Sequence, residues 1–158
     1  MLIKKHGALS DVHAIAALPQ VECLSLGIMG FVSEHHGAIP DNAMHSPAQF
    51  THGLVVRAKL EIAAACHTHG KVPSRNVITE IKDMAIVAND AYRAAIELDY
   101  TRMWSIHPNQ IKPILQAMSP RDDEINHAAF IISGAKNAQC GPIQHNGILY
   151  DRASYRYY

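Results

Sequence analysis

The chain has 158 residues, of which 48% are hydrophobic and 18% are charged, and its 14 basic and 14 acidic residues give a formal net charge of zero. This balance is typical of a single globular domain, and the absence of a basic block argues against nucleic-acid binding. No apolar run approaches the roughly 20 residues that a membrane-spanning helix needs, and the N-terminal residues lack the apolar core of a secretory signal.

The cysteines carry information about the compartment. Cys23, Cys66 and Cys140 are far apart, odd in number and form no C-x-x-C pair. Free thiols in a cytoplasmic chain are the simplest interpretation of this pattern.

The first part of the chain predicts a strand, a helix and a second strand. Residues 2–5 are short and apolar and end in charge. Ser10 is expected to cap a helix that Pro19 ends, because serine caps helix N-termini and proline interrupts the helical hydrogen bonds. The run at 23–28 is predicted to be a buried strand that leads into a glycine-containing loop.

A long helix is predicted in the middle of the chain. Ser46 is expected to be its N-cap, since Pro47 suits the first turn and Gln49 completes an S-x-x-Q capping box. The helix is expected to stop at Gly70, a residue type that often follows a helix C-terminus.

The second half continues the alternation of strands and helices. Strands are predicted at 72–76 and 101–106, with a long amphipathic helix between them. Asp83 and Asp90 on that helix are interpreted as part of a solvated face. A further helix is expected after His107, with proline in its first turn.

Four β-α units in succession predict an α/β fold with a parallel sheet. We expect residues 1–118 to form this sheet and its helices. Residues 119–158 are expected to add a helix that ends near Cys140 and a tail without a clear period, which together serve as an intersubunit or lid segment.

Several stretches resemble one known family. The run YTRMWSIHPNQI resembles the last strand and following helix of the citrate lyase beta-subunit-like proteins in the HpcH/HpaI aldolase group. The stretches GALSDVHAIAALPQVECLSLGIMGFVSEHHGAIP and LVVRAKLEIAAACHTHGKVP resemble the middle of the same barrel. NGILYDRASYRYY resembles the C-terminal segment of the malyl-CoA lyase-like branch. The resemblance implies the second half of a (β/α)₈ TIM barrel, without the first four strands and the arginine by which relatives hold substrate.

The resemblance also implies a chemistry. Relatives make or break carbon–carbon bonds in 3-hydroxy acyl-CoA esters such as malyl-CoA or citryl-CoA. They use Mg²⁺ to polarise the substrate carboxylate and the carbonyl that becomes an enolate. Coenzyme A is part of the substrate there, and no separate organic cofactor is expected.

Two positions depart from the metal site of the family. Relatives place a glutamate where this chain has Lys4 and an aspartate where it has Gly30. Because a hard divalent cation needs anionic oxygen ligands, we expect no metal ligands at these positions.

Two other residues are candidates for the substrate site. Asp151 matches the aspartate that the malyl-CoA lyase-like branch delivers to a neighbouring site as an acid/base group; the alternative is a solvated aspartate paired with Arg152 or Arg156. His107 follows the last predicted strand, where TIM-barrel chemistry occurs, so it is a candidate substrate-binding residue; the alternative is a structural cap for the next helix.

Two functional hypotheses follow. In the first, the chain belongs to a carbon–carbon lyase that acts on acyl-CoA or small carboxylate substrates and is inactive by itself. In the second, it is a non-catalytic partner subunit that keeps barrel packing and oligomer contacts. Both predict self-association or a first-half barrel chain as the partner.

Overall fold

Four short parallel strands form the sheet in the computed structural model, which describes residues 1–158. They are β1 (Leu2–Ile3), β2 (Cys23–Leu26), β3 (Val72–Arg75) and β4 (Arg102–Met103), and their order in the sheet is their order in the chain. All three strand pairs are parallel, as the alternation of strands and helices predicts. Each strand ends earlier than predicted, because the chain leaves the sheet to form the loops and helices that follow.

Seven α-helices accompany the strands: α1 (His6–Ser10), α2 (Val12–Ala17), α3 (Ile28–Ser33), α4 (Gly53–Thr68), α5 (Met84–Leu98), α6 (Ile111–Met118) and α7 (Asp122–Asn137). No helix is both long and apolar enough to cross a membrane.

Two predicted helix starts are wrong. Ser10 closes α1, where its hydroxyl donates to the carbonyl of His6, and it caps nothing. The long central helix begins at Gly53, and Ser46 lies in a separate turn before it. The reason is tertiary: the Ser46 hydroxyl donates to the Asp90 carboxylate. The loop that is predicted after β2 is also wrong. The structure has a short helix there, α3, which begins directly after Gly27.

Apolar side chains are buried in three clusters within the first 118 residues. The largest joins β1 and β2 to α1–α4 and includes Leu24, Phe31 and Ile62. A second cluster lies between α4 and α5, and a third packs β4 and α6 against α5. These helices therefore hold the sheet from outside, so the ends of the strands have fixed positions.

The contacts divide the chain into two compact units, Met1–Met118 and Ser119–Tyr158. The second unit contains α7 and an antiparallel hairpin of β5 (Ile143–His145) and β6 (Ile148–Tyr150). The hairpin packs so close to α7 that a Cβ atom on Gly134 would lie 2.8 Å from the Ile143 side chain. The tail therefore has regular structure that its sequence period did not predict.

Candidate functional site

A cleft of about 220 Å³ opens at the carboxyl ends of the four strands. Its polar lining comes from Lys4 after β1, Ser25 in β2 and Asn76 after β3, and Trp104 after β4 forms another part of the wall. This is the edge of a parallel sheet where α/β proteins bind ligands and where barrel enzymes carry their catalytic groups. The cleft is therefore the candidate site.

Two glycines seat the side chain of Lys4 in this cleft. A Cβ atom on Gly27 would lie 2.6 Å from Lys4 Cγ, and one on Gly30 would lie 3.2 Å from Lys4 Cδ. The lysine stem therefore occupies space that any other residue at Gly27 would fill. The backbone amide of Gly27 donates to the Ile3 carbonyl at 2.8 Å, which fixes the two strand ends beside each other.

The residues of the cleft do not fit Mg²⁺. No carboxylate lines it, and its one charged side chain is the Lys4 ammonium. Of the carboxylates that are nearby in sequence, Glu34 pairs with Lys5 at 2.9 Å, which lowers the pKa of Glu34, and Asp41 lies in an exposed 3-10 turn. Nowhere in residues 1–158 do three His, Cys, Asp or Glu side chains converge.

Behind the cleft lies a buried polar network that sequence reasoning missed. Arg75 and Asp90, both fully buried, form an ion pair at 2.7 Å. The Gln49 side-chain amide donates to the same Asp90 carboxylate at 3.0 Å. Asn76 connects this network to the cleft, because its amide donates to Gln49 Oε1 at 3.3 Å. The interpretation of Asp90 as part of a solvated face is therefore wrong.

The network holds a second buried basic side chain. Lys59 is fully buried, and its amino group donates to the backbone carbonyl and the side-chain Oε1 of Gln49, both at 3.0 Å. Burial, followed by repulsion from Arg75, holds the pKa of Lys59 well below its usual range. Burial also lowers the pKa of Arg75 to about 10, although the Asp90 carboxylate opposes that shift.

A second cleft of about 220 Å³ is lined by Ser46, Gln49 and Asp90, which belong to this network. The Asp90 oxygens that face it already accept hydrogen bonds from Ser46, Gln49 and Arg75. These groups are therefore committed to the fold, and the cleft at the strand ends remains the candidate site.

His107 caps the turn that leads into α6. Its Nδ1 accepts a hydrogen bond from the backbone amide of Asn109 at 3.2 Å, and Pro108 begins the 3-10 turn Pro108–Gln110. The ring is half-buried and does not line the cleft. Substrate binding by His107 stays a prediction, beside a cap role that this hydrogen bond demonstrates.

Asp151 lies in the second unit, directly after β6. Its Oδ1 accepts hydrogen bonds from the backbone amides of Ala153 at 2.9 Å and Ser154 at 3.2 Å. The carboxylate is exposed and holds the turn after the hairpin, where it meets backbone amides and neither of the arginines expected as partners. Its catalytic role stays a prediction.

Comparison with known proteins supports the architecture. No family model matches the chain. The crystal structure of a citrate lyase from Burkholderia xenovorans LB400 matches with a TM-score of 0.91, and its sequence is 62% identical. The match covers 99% of this chain and 49% of that one. The protein CitE from Mycobacterium tuberculosis, in complex with magnesium, acetoacetate and coenzyme A, is 17% identical, with a TM-score of 0.80 over 99% of this chain and 56% of that one.

A curated relative gives a matching result. The L-malyl-CoA/beta-methylmalyl-CoA lyase of Rhodobacter capsulatus is 27% identical over 99% of this chain and 52% of its own length. The chain thus spans about half the length of the relatives it matches. Its fold and the cleft at its strand ends are those of half a (β/α)₈ barrel. The chain is a relative of the citrate lyase beta-subunit-like family in the HpcH/HpaI aldolase group, as the sequence motifs predict.

Proposed function

We propose that the chain provides half of the active site of a carbon–carbon lyase that acts on 3-hydroxy acyl-CoA esters of the malyl-CoA or citryl-CoA type. The observation that carries this proposal is the cleft at the carboxyl ends of β1–β4, in a half-barrel that is 62% identical to part of a citrate lyase. Lys4 and Asn76 form one wall of the site, and a partner chain supplies the other.

The proposal assigns a separate role to each of these residues. The buried network holds Asn76 at the cleft, and the glycines hold the Lys4 stem. Asp151, on the exposed surface of the second unit, acts as an acid/base group, and His107 contributes to substrate binding through its free ring nitrogen. Because the cleft does not fit Mg²⁺, none of these roles passes through a metal ion.

The test is complementation. The chain is mixed or co-expressed with the first-half fragment of the Burkholderia citrate lyase, and cleavage of malyl-CoA and citryl-CoA is measured by release of acetyl-CoA. We expect activity from the mixture and none from either part. Asp151→Asn should reduce the turnover by at least about a hundredfold, typical of losing a general acid or base, because asparagine keeps the turn but removes the proton-transfer group. Arg152→Gln, in the same exposed turn, is the control.

A second function is favoured by one specific observation. The Lys4 stem fills the space above Gly27, and the resemblance to the family places Lys4 and Gly30 at the positions of its metal-binding carboxylates. This arrangement suits a non-catalytic partner subunit that keeps barrel packing and oligomer contacts. A 1:1 complex that forms in the complementation experiment but cleaves neither thioester supports this second function and contradicts the first.

A further inference from the structure

Two histidine rings meet outside the candidate cleft, where the start of α1 comes close to the segment that follows α3. The Nε2 atoms of His6 and His35 lie 2.8 Å apart, and the two rings are nearly perpendicular, with an interplanar angle of 82°. The buried Phe31 ring contacts both imidazole rings, with centroid distances of 5.0 Å to each. Neither histidine has a role in the proposed function.

The hydrogen bonds of this pair define where its protons lie when both rings are neutral. The Phe31 carbonyl can only accept, so the proton of His35 is on Nδ1, which lies 2.7 Å from that oxygen. The lone pair of His35 Nε2 then accepts from His6 Nε2. A histidine that ligates a metal ion through one ring nitrogen usually donates from the other to a carbonyl or carboxylate. His35 is therefore held in the orientation of a metal ligand.

The spacing of the two nitrogens is close to what a tetrahedral ion requires. With Zn–N bonds of about 2.0–2.1 Å, two ligands of one tetrahedral Zn²⁺ are roughly 3.3 Å apart, so the rings need to separate by only about half an ångström. Both rings are half-buried and line a depression of about 530 Å³. The bond to His35 is the one hydrogen bond of the His6 ring, so this ring can turn its Nε2 lone pair toward an ion while its proton moves to Nδ1.

A carboxylate lies beside the pair. Glu34 precedes His35 in the chain and lines the same depression. It is turned toward Lys5, at 2.9 Å, so the structure brings two ligands together and not three. Both partners of that ion pair are exposed, and such pairs contribute little to stability, so a metal ion can compete for the carboxylate. Lys4 and Lys5 also line the depression and oppose a cation, which lowers the expected affinity.

We propose that His6 and His35 form a binding site for a divalent transition-metal ion such as Zn²⁺, and that Glu34 and water complete its coordination. Imidazole nitrogen suits Zn²⁺, Cu²⁺ and Ni²⁺, whereas Mg²⁺ requires oxygen ligands. The ion replaces the hydrogen bond between the rings and joins α1 to the segment after α3. The neutral pair loses no net proton, and nothing is oxidised. The site does not depend on the proposed lyase function, and both its residues and its ligand type differ from those of the Mg²⁺ site in relatives.

The test is a calorimetric titration of the full chain with ZnCl₂ and, as the control ion, MgCl₂. We expect one Zn²⁺ and no Mg²⁺ at this site. His6→Gln and His35→Gln should each raise the Kd for Zn²⁺ by at least about tenfold, since even the loss of an outer partner of a metal ligand costs that much. The matched control is His13→Gln on α2, because the His13 ring also lies beside another histidine, His69, at 5.8 Å. This variant should leave the Kd unchanged.

Two further measurements separate metal ligation from a purely structural role of the pair. Imidazole ¹⁵N NMR of the wild type should show that Zn²⁺ shifts Nε2 of both rings while His35 Nδ1 keeps its proton, and this holds even if a variant does not fold. Zn²⁺ should raise the thermal unfolding temperature of the wild type and of His13→Gln but not of the other two variants. Binding should weaken as the pH falls through the range in which histidine is protonated, because the ion needs neutral imidazole.

Three outcomes overturn the inference: no Zn²⁺ binding by the wild type, an unchanged Kd in folded His6→Gln and His35→Gln, or ¹⁵N shifts confined to other histidines. The pair is then a hydrogen bond that fastens α1 to the segment after α3 and nothing more. Glu34→Gln tests the third ligand and should raise the Kd several-fold; an unchanged Kd in this variant would contradict the proposed ligand set. Circular dichroism verifies that each variant is folded.

Discussion

At the residue scale, the unusual feature of this chain is a buried network with two basic side chains and one carboxylate. Asp90 accepts from Arg75 at 2.7 Å, and hydrogen bonds connect Lys59 to the pair through Gln49. A buried charge is tolerated when it is paired, so the single carboxylate stabilises the whole arrangement. Its removal should therefore have a large effect.

We predict that Asp90→Asn lowers the free energy of unfolding by about 3–5 kcal/mol, because it leaves Arg75 as an uncompensated buried charge. Urea denaturation measures this change. Glu61→Gln, which removes the exposed partner of Arg57 on α4, is the control and should cost no more than about 1 kcal/mol. Equal losses in the two variants would show that Asp90 does not carry the network.

Lys59 predicts a pH dependence. Its pKa is lowered in the folded state, so between that pKa and the usual value near 10.5 the unfolded chain binds more protons and stability rises with pH. Lys59→Met should remove this rise. The free energy of unfolding of the wild type minus that of the variant should therefore increase as the pH rises toward 10.5, by up to about 1.4 kcal/mol per pH unit.

The comparison cancels other titrating groups, such as Cys66, whose pKa is raised by burial. Lys112→Met, at an exposed position of α6, is the control for the loss of a lysine from the surface. A flat difference for Lys59→Met would mean that Lys59 keeps its usual pKa in the fold.

A third prediction at this scale concerns the cleft. Lys4→Glu with Gly30→Asp should allow the cleft to bind Mg²⁺, since two carboxylates, one after β1 and one in α3, replace one ammonium. The changes should be coupled: Gly30→Asp alone presses its Cβ within 3.2 Å of the Lys4 stem and keeps the ammonium. Calorimetric Mg²⁺ titrations of the wild type, both single variants and the double variant measure the effect. Weak binding in all four would mean that these positions do not correspond to the ligands of relatives.

The residues differ in how far the sequence alone could predict them. Family motifs point to Lys4 and Gly30, and in the structure a Cβ atom added to Gly30 would lie 3.2 Å from Lys4 Cδ. Asp90 was misinterpreted because its partners Arg75, Gln49 and Ser46 come from other elements. Helical periodicity predicts the face of the helix on which a residue lies. It does not predict whether an arginine from another element contacts that face.

At the element scale, the two ends of α4 have different causes. Local backbone hydrogen bonds set its C-terminus, and contacts with the distant Asp90 set its N-terminus. The sequence predicts that the helix ends at Gly70, and a Schellman motif explains this end. The Lys71 amide donates to the Cys66 carbonyl at 2.8 Å, and the Gly70 amide donates to the His67 carbonyl at 3.4 Å. Gly70 has a φ of +63°, which favours glycine. The predicted start of α4 is wrong because the side chains of Ser46 and Gln49 donate hydrogen bonds to the Asp90 carboxylate.

We predict opposite effects of alanine at the two ends of α4. Gly70→Ala should lower stability by about 1 kcal/mol, because a Cβ is unfavourable at positive φ. Gly53→Ala should raise it by up to about 1 kcal/mol, since a Cβ there meets no atom within 4 Å and alanine favours the helix. Thermal denaturation of the two variants checks the sign. A loss at Gly53 would contradict the helix start seen in the structure.

We did not predict the hairpin of β5 and β6, although the sequence contains a signal for it. Asn146-Gly147 joins β5 and β6, and both residues have positive φ, at 50° and 79°. An Asn-Gly pair between short apolar runs is a strong hairpin signal. The signal was hidden because the flanking strands have only three residues each, too few to show alternation.

At the scale of the whole molecule, the half-barrel has open sheet edges and exposed apolar side chains. β1 and β4 are the edge strands of the sheet, so each has one side without a strand partner. Around the strand ends, Met29, Trp104 and Ile106 are 45%, 41% and 54% exposed. Soluble monomers rarely expose apolar patches larger than a few hundred Å². Four β-α units were predictable from the sequence because they are local, whereas what covers them depends on another chain or chain segment.

The last prediction follows from these surfaces. Sedimentation velocity should show that the chain self-associates at micromolar concentration, because open strand edges and the apolar rim of the cleft favour pairing. Adding the first-half fragment of the Burkholderia citrate lyase should replace this species by a 1:1 complex, since that fragment completes the barrel. Trp104→Glu should weaken either association by at least roughly tenfold, because it desolvates a charge at the interface. Ile96→Glu, at an apolar position on α5 that is 58% exposed, should leave it unchanged. A well-folded chain that stays monomeric and ignores the fragment would mean that the half-barrel is stable with its edges open, and both functional proposals that need a partner would be wrong.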